Sequence, residues 1–164
     1  MPSKYRLKTA GLPVLLSLIS LTTLLLPQGC SKETPVWSQA VQTPYTDWTP
    51  EEKVVFTADS QHVADTHPQR MIVFMRYRND CNLRDIGLIF EYDSDLGSAT
   101  DSIKLPLFRP DGTPAGRSSL GVLETTDTLT LPFPVTPGWE AVAYPQPVVP
   151  APSGILTLGI TLLP

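Results

Sequence analysis

An all-β domain, an antiparallel β-sandwich of jelly-roll type with about seven or eight strands, is the fold this sequence predicts. Three observations predict it. Apolar residues recur with period two along most of the chain after Lys53, which is the pattern of strands buried on one face. Turn chemistry falls in the intervals between these runs. Of the 18 prolines only Pro2, Pro13 and Pro27 precede Cys30, so the remainder of the chain carries proline at about twice the usual 5%. Proline lacks a backbone donor and clashes with the preceding helical turn, so this density opposes helix interiors. No stretch sustains apolar residues at three- and four-residue spacing over ten positions.

The strands follow in order. Val54, Phe56 and Ala58 alternate with Val55 and Thr57. Met71, Val73, Met75 and Tyr77 alternate with Ile72, Phe74, Arg76 and Arg78. Ile86, Leu88, Phe90 and Tyr92 alternate with Gly87, Ile89 and Glu91, and Ile103, Leu105 and Leu107 with Lys104 and Pro106. Leu129, Leu131 and Phe133 alternate with Thr128 and Thr130, and Ala141 and Ala143 with Val142 and Tyr144. Leu156, Leu158, Ile160 and Leu162 close the series. Asn79-Asp80, Asp93-Ser94-Asp95, Pro110-Asp111-Gly112 and Pro137-Gly138 mark turns through αL-tolerant residues or proline-set φ. Pro110-Asp111-Gly112 predicts a type I turn closed by glycine, leading to a strand near Leu120 to Leu123. Pro106 and Pro132 belong on edges or at bulges.

Ahead of this domain lies a targeting signature. Lys4, Arg6 and Lys8 precede an apolar run from Ala10 to Leu26 that is short for a bilayer span of roughly 20 residues and is interrupted by Pro13. Gly29-Cys30 then supply the small residue and thiol of a lipoprotein signal, with cleavage between them and the lipid on the Cys30 sulfur. Pro27 departs from the aliphatic residue usual three positions before the cysteine. Ser31, rather than Asp, follows Cys30, and the expected location is the outer membrane, with the periplasmic or surface face left open. Residues 31–52 are polar, with Pro35, Pro44 and Pro50, and read as a tether in which Trp37, Tyr45 or Trp48 docks on the domain. The expected divisions are therefore 1–29, signal peptide; 30–52, lipid-anchored tether; and 53–164, β-sandwich.

Charge narrows the functional classes. The whole chain has 12 basic and 16 acidic residues and a formal charge of −4; without the three cations before Cys30 it is −7. Phosphate-backbone binding needs clustered Lys and Arg, so nucleic acid is excluded as a partner. With Cys30 acylated, Cys81 has no intramolecular partner, and no disulfide framework is expected. Cys81 itself reads as a structural thiol.

No phosphate loop, nucleophile elbow, His-Glu-x-x-His or Cys-x-x-Cys spacing occurs. His62 and His67, with Asp59 and Asp65, read as a solvated loop before a metal site. Asp93, Asp95 and Asp101 read as a β-turn with solvated carboxylates, since the spacing lacks the closing Glu of a calcium loop. Glu91 and Asp93 share a strand face about 7 Å apart, without other marks of a sugar cleft. Arg76 and Arg78 share a face suited to cross-strand ion pairs. The expectation is a protein without catalytic residues, metal or cofactor.

Several of these features together resemble the GldH family of gliding-motility lipoproteins of Bacteroidetes. The marks are the lipidated start, an early Trp37, and Phe56-Thr57-Ala58-Asp59. Next come the apolar strand ending Arg76-Tyr77, Asn82-Leu83, and Asp101-Ser102-Ile103. Asp111-Gly112, Gly138, Gly154-Ile155 and Leu158-Gly159-Ile160 complete the set. The family's Met-Arg pair between the last two strands is absent, its place taken by Pro145 to Pro152. The resemblance implies a β-rich envelope lipoprotein associated with a gliding or secretion apparatus, held by its lipid and contacting other envelope proteins, with no known catalytic activity. A surface carbohydrate- or ligand-binding sandwich using Trp37, Trp48 and Trp139 is the alternative expectation.

Overall fold

Two antiparallel sheets face each other across the inward residues that the alternation predicts. The computed structural model describes residues 33–44, 46–58, 63 and 69–164, and Glu33–Pro164 form one compact unit. Its strands are β1 (Trp37–Gln42), β2 (Val54–Thr57), β3 (Arg70–Tyr77), β4 (Asp85–Ser94), β5 (Gly97–Pro106), β6 (Arg117–Ser119), β7 (Val122–Thr130), β8 (Glu140–Pro145) and β9 (Ile155–Leu163). The first sheet runs β1-β9-β3-β7-β6 and the second β2-β8-β4-β5. With the short β6 set aside, the remaining eight strands make the two interlocked Greek keys of a jelly roll, because the chain changes sheet at every link except the β4–β5 hairpin.

The sequence-derived strands are present, with three differences. Within residues 31–52, expected as a tether, one described stretch is a strand. Trp37–Gln42 within them is an edge strand paired with β9 from Trp37↔Leu162 to Gln42↔Thr157, so the sandwich begins at least sixteen residues before Lys53. Its polar composition disguised it: an edge strand buries only alternate side chains, here Trp37, Gln39 and Val41, and those only halfway. Second, the strands expected near Leu120 and from Leu129 are one strand, β7, whose polar middle from Glu124 to Thr128 broke the apolar pattern. Leu131 and Phe133 lie beyond it, with Pro132 in the link to β8. Third, the alternation of β9 shifts phase. A bulge opposite Arg76/Tyr77 pairs Tyr77 with Ile155, so Ile155 is fully buried and Leu156 only partly so.

The remaining sequence-derived turns are in place, except that Asp93 and Ser94 end β4 and the turn itself is Asp95-Leu96. Ser94 pairs with Gly97 across Asp95-Leu96, closing the β4–β5 hairpin. Arg109 N–H donates to Thr113 O at 2.8 Å and Gly112, at φ +80°, donates back to Arg109 O at 3.0 Å. Asp111 Oδ1 accepts from Thr113 N–H at 3.0 Å and from its hydroxyl at 2.7 Å. This Asx-type bonding fixes the turn that glycine closes. Pro106 ends the edge strand β5, where its missing donor costs no ladder bond.

Both open ends of the sandwich are plugged by a tryptophan from a link. At the end holding the start of β1, the finish of β2 and the start of β8, Trp139 is fully buried and stacks on Tyr92 at 6.1 Å. Phe90, also 6.1 Å from Tyr92, continues the stack into the core. At the other end Trp48 is fully buried, its indole N–H donating to Glu52 O at 2.8 Å and its backbone N–H to Pro152 O at 3.1 Å. Beside it the β8–β9 link is held by Asn82, whose amide donates to Ala151 O at 2.9 Å and accepts from Ser153 N–H at 3.0 Å. A side-chain amide here mimics one residue of a strand ladder.

Glycine placement makes a stability test. At Gly154, φ is +77° and an added Cβ would lie 2.9 Å from the Cys81 Cα, a backbone atom that cannot step aside. At Gly112, φ is +80° but the space is open. Gly112→Ala is expected to cost about 1 kcal/mol from conformation alone. Gly154→Ala adds a backbone clash and should cost about 3 kcal/mol. Urea unfolding of both variants measures the difference; equal losses would contradict the close approach.

Candidate functional site

Cys30 and Gly29, the residues singled out for lipid attachment and cleavage, lie outside the described residues, as do Tyr45, Asp59, His62, Asp65 and His67. The three tryptophans are described, and two of them are core. Trp48 and Trp139 are 0% exposed, so neither presents a ring face for a sugar, and Trp37 is half-buried on β1. Trp48 therefore docks on the domain as the sequence suggests, but as an end plug rather than as part of a loose tether. Two of the three rings named in the alternative carbohydrate reading are thus inside the core.

Acidic residues that looked paired in the sequence are separated by their bonding. Glu91 lies on the outer face of β4, where Oε1 accepts from Tyr144 OH at 2.7 Å and Oε2 meets Lys53 Nζ at 3.0 Å. The same ammonium sits 4.8 Å from the centre of the Tyr144 ring. The Tyr144 bond, then the Lys53 bond, holds the Glu91 carboxyl below the usual range. Asp93 instead accepts from Ser98 Oγ across the hairpin at 2.7 Å. Asp101 Oδ1 accepts from the adjacent Ser102 N–H at 2.7 Å, a donor on edge strand β5. Among the described residues no group of three or more His, Cys, Asp or Glu is placed to hold a metal. Cys81 is half-buried, and burial pushes its thiol above the ordinary value.

A different surface combines charge, an aromatic face and concavity: the outer face of the five-stranded sheet where β3, β7 and β6 meet. Strand register sets Arg76, Glu124 and Arg117 in one row across the three strands. Arg76 Nε donates to Glu124 Oε2 at 2.9 Å, and Arg117 Nη2 is 3.8 Å from Glu124 Oε1. One carboxylate thus serves two guanidinium groups. In the next row Phe74 lies across Gly159, where an added Cβ would be 2.1 Å from its ring, and Arg76 stands 5.5 Å from the ring centre. The glycine leaves room for the ring to lie against the sheet, covering backbone that would otherwise be bare. Two adjoining concavities, about 500 and about 400 Å³, share Arg76, Arg117 and Glu124. The larger reaches the β6–β7 turn at Leu120, the smaller runs over Phe74 toward Ser38 and Thr161.

The sequence exposed half of this surface. Phe74 and Arg76 fall on the outward phase of β3, and Arg76 makes the cross-strand ion pair expected of it. Arg78 meets Asp80 within its own turn at 3.0 Å instead. Arg117, Glu124 and the Leu120-Gly121 turn were missed, because β6 is three polar residues long and Leu-Gly is not one of the dipeptides that announce a hairpin. The only available signal was the serine pair Ser118-Ser119 just ahead of a lone glycine, Gly121.

Several marks of the family resemblance fall at positions the fold constrains: Asn82 at the loop clamp, Asp111-Gly112 in the turn, Gly154 at the close approach and Gly159 beneath Phe74. In comparisons with family models, curated proteins and solved structures, the chain finds no match.

Two measurements follow from this geometry. Trp139→Ala should lower unfolding free energy by about 3 to 5 kcal/mol, the usual range for emptying a core aromatic. A stable Trp139→Ala protein would contradict its role as a plug. Tyr144→Phe removes the largest cause lowering the Glu91 carboxyl, so its NMR-monitored titration should move up toward the ordinary range. Because the folded pKa is the depressed one, the contact favours folding above the unfolded carboxyl pKa. That contribution disappears as pH falls through the folded value. An unmoved Glu91 titration in Tyr144→Phe would remove Tyr144 as the cause.

Proposed function

We propose that this chain is a lipid-anchored cell-envelope protein that acts without catalysis, its jelly roll docking other envelope proteins of a gliding-motility or secretion apparatus. One observation carries the reading: Gly29-Cys30 closely follow the apolar run from Ala10 to Leu26, and Cys30 stands seven positions before the first described strand at Trp37. The motility or secretion setting rests on the GldH-like marks, and the outer membrane on Ser31 following the lipidated cysteine.

The early start of the sandwich sharpens what such an anchor does. Only Ser31 to Val36 separate Cys30 from β1, so the two are at most roughly 25 Å apart even when fully extended. A domain on so short a lead stays beside the bilayer. The end bearing Trp37, Thr57 and Glu140 is then held toward the lipid. The opposite end, with Trp48, the proline-rich link and the β6–β7 hairpin, points away. One acyl chain binds membranes marginally, whereas the several chains of a lipidated N-terminal cysteine hold stably, so positioning requires no transmembrane helix.

Deletion of the gene together with pull-down of the lipidated protein tests this. The expected outcome is loss of gliding or of protein secretion, with recovery of a defined envelope complex that Cys30→Ala fails to assemble. Intact gliding and secretion in the deletion strain, and no envelope complex, would overturn it.

A further inference from the structure

The β6–β7 hairpin carries a feature that folding alone does not call for. Ser119 pairs with Val122, leaving a two-residue turn in which Leu120 has φ +50° and Gly121 φ +80°. Positive φ at both positions is the type I′ geometry, for which Asn-Gly and Gly-Gly are suited and a branched apolar side chain is not. Leucine normally offsets such a misfit by burial. Here it is 102% exposed, as open as a leucine can be. A single exposed leucine is ordinary, and a single left-handed residue can be tolerated. The two together, at the tip of a hairpin, place an apolar side chain where it contributes nothing to this domain's own core.

What surrounds Leu120 specifies the chemistry it would meet. The 500 Å³ concavity beginning at Leu120 and Val122 is lined farther in by Arg76, Arg117 and Glu124. Glu124 is taken by Arg76 at 2.9 Å, leaving Arg117 its longer 3.8 Å contact and a side chain 86% exposed. Two guanidinium groups against one carboxylate leave the site locally positive, in a chain whose formal charge is −4. The hairpin also lies at the end of the sandwich opposite Glu33 and Trp37, where the lead from Cys30 enters.

We propose that the β6–β7 hairpin docks a protein partner, Leu120 entering an apolar pocket of that partner and Arg117 meeting an Asp or Glu at the pocket rim. This rests on the anchored-docking reading for its setting and adds to it the surface and the chemistry of the partner. An apolar anchor desolvated at the centre of a contact, with a charged arginine beside it, is the arrangement that concentrates binding energy in few residues. The carboxylate would bind the planar arginine fork in two-point fashion, which fixes orientation as well as affinity.

The test places a photoreactive phenylalanine analogue at Ser118, Ser102, Thr128 or Val149 of the full chain in its native cells, with Cys30 intact. Cross-linked products are identified, and the partner found at Ser118 is purified for binding measurements. The expected result is cross-linking from Ser118 to one envelope protein, at a peptide containing Asp or Glu. Leu120→Asn should then weaken binding roughly ten-fold or more. The same substitution should leave the melting temperature unchanged or raised, since Asn-Gly fits the turn better than Leu-Gly. Arg117→Glu should also weaken binding, with recovery when the partner's contacted acid is changed to Lys. Cross-links from Val149, Thr128 or Ser102 without Ser118 would overturn the hairpin while leaving anchored docking intact. Cross-links from no position would count against both. A Ser118 product containing only a second copy of this chain, or unchanged affinity in Leu120→Asn, would also overturn the proposal.

Discussion

Everything in this domain depends on the last strand entering the middle of a sheet. β9 lies between β1 and β3 and hydrogen-bonds to both, so β1 has no sheet partner until the final nine-residue strand is in place. Two glycines make the insertion possible. Gly159 leaves the space that the Phe74 ring fills on the outer face, and Gly154 lets the chain pass against Cys81 as it enters the strand. The bulge at Leu156 then turns Ile155 inward to meet Tyr77, keeping the core continuous where the ladder shifts. Without these adjustments a strict alternation would put a β-branched residue and a leucine on the wrong faces.

Much of this architecture was legible because the core is read from alternation. Met71 to Tyr77 and Ile86 to Tyr92 are central strands in their sheets, and their inward residues are almost completely buried, so period two survives in the sequence without interruption. Edge strands obey a different constraint. β1 and β6 bury little, must avoid presenting sticky apolar edges, and so have the composition of loops. The phase change in β9 was invisible for another reason: Leu156 and Ile155 are equally apolar, and only the position of the close approach at Gly154 decides which faces inward. The tryptophans illustrate the same limit. Aromatics in proline-rich links looked available for ligands, yet the open ends of a jelly roll require large plugs, and Trp48 and Trp139 fill them.

Candidate sites divide along the same line. Arg76 and Phe74 could be assigned to an outward face because β3 is regular. Glu124 and Arg117 reach them only through strand register, and Leu120 gains meaning only from its φ and exposure. On the reading proposed for this chain, the two ends of the sandwich do different work. The end near Trp37 is kept close to the membrane by a short lead, and the far end is free to meet a partner. The acidic groups near the held end, among them Glu33, Asp93, Asp95 and Glu140, have Arg70 as their only described cationic neighbour from the strands at that end, paired with Glu33 at 2.6 Å. The remaining described cations lie toward the far end, where Arg76 and Arg117 share the one carboxylate of Glu124 and leave that surface locally positive.

Anchoring through Cys30 is tested by the intact mass of the protein extracted with detergent from membranes of its own cells. The expected result is a mature chain beginning at Cys30, heavier than its amino-acid sequence by a diacylglycerol and any further acyl group, with the added mass retained on the N-terminal peptide after proteolysis. An unprocessed chain still carrying Met1 to Gly29, or a mature chain with an unmodified Cys30 thiol, would contradict it.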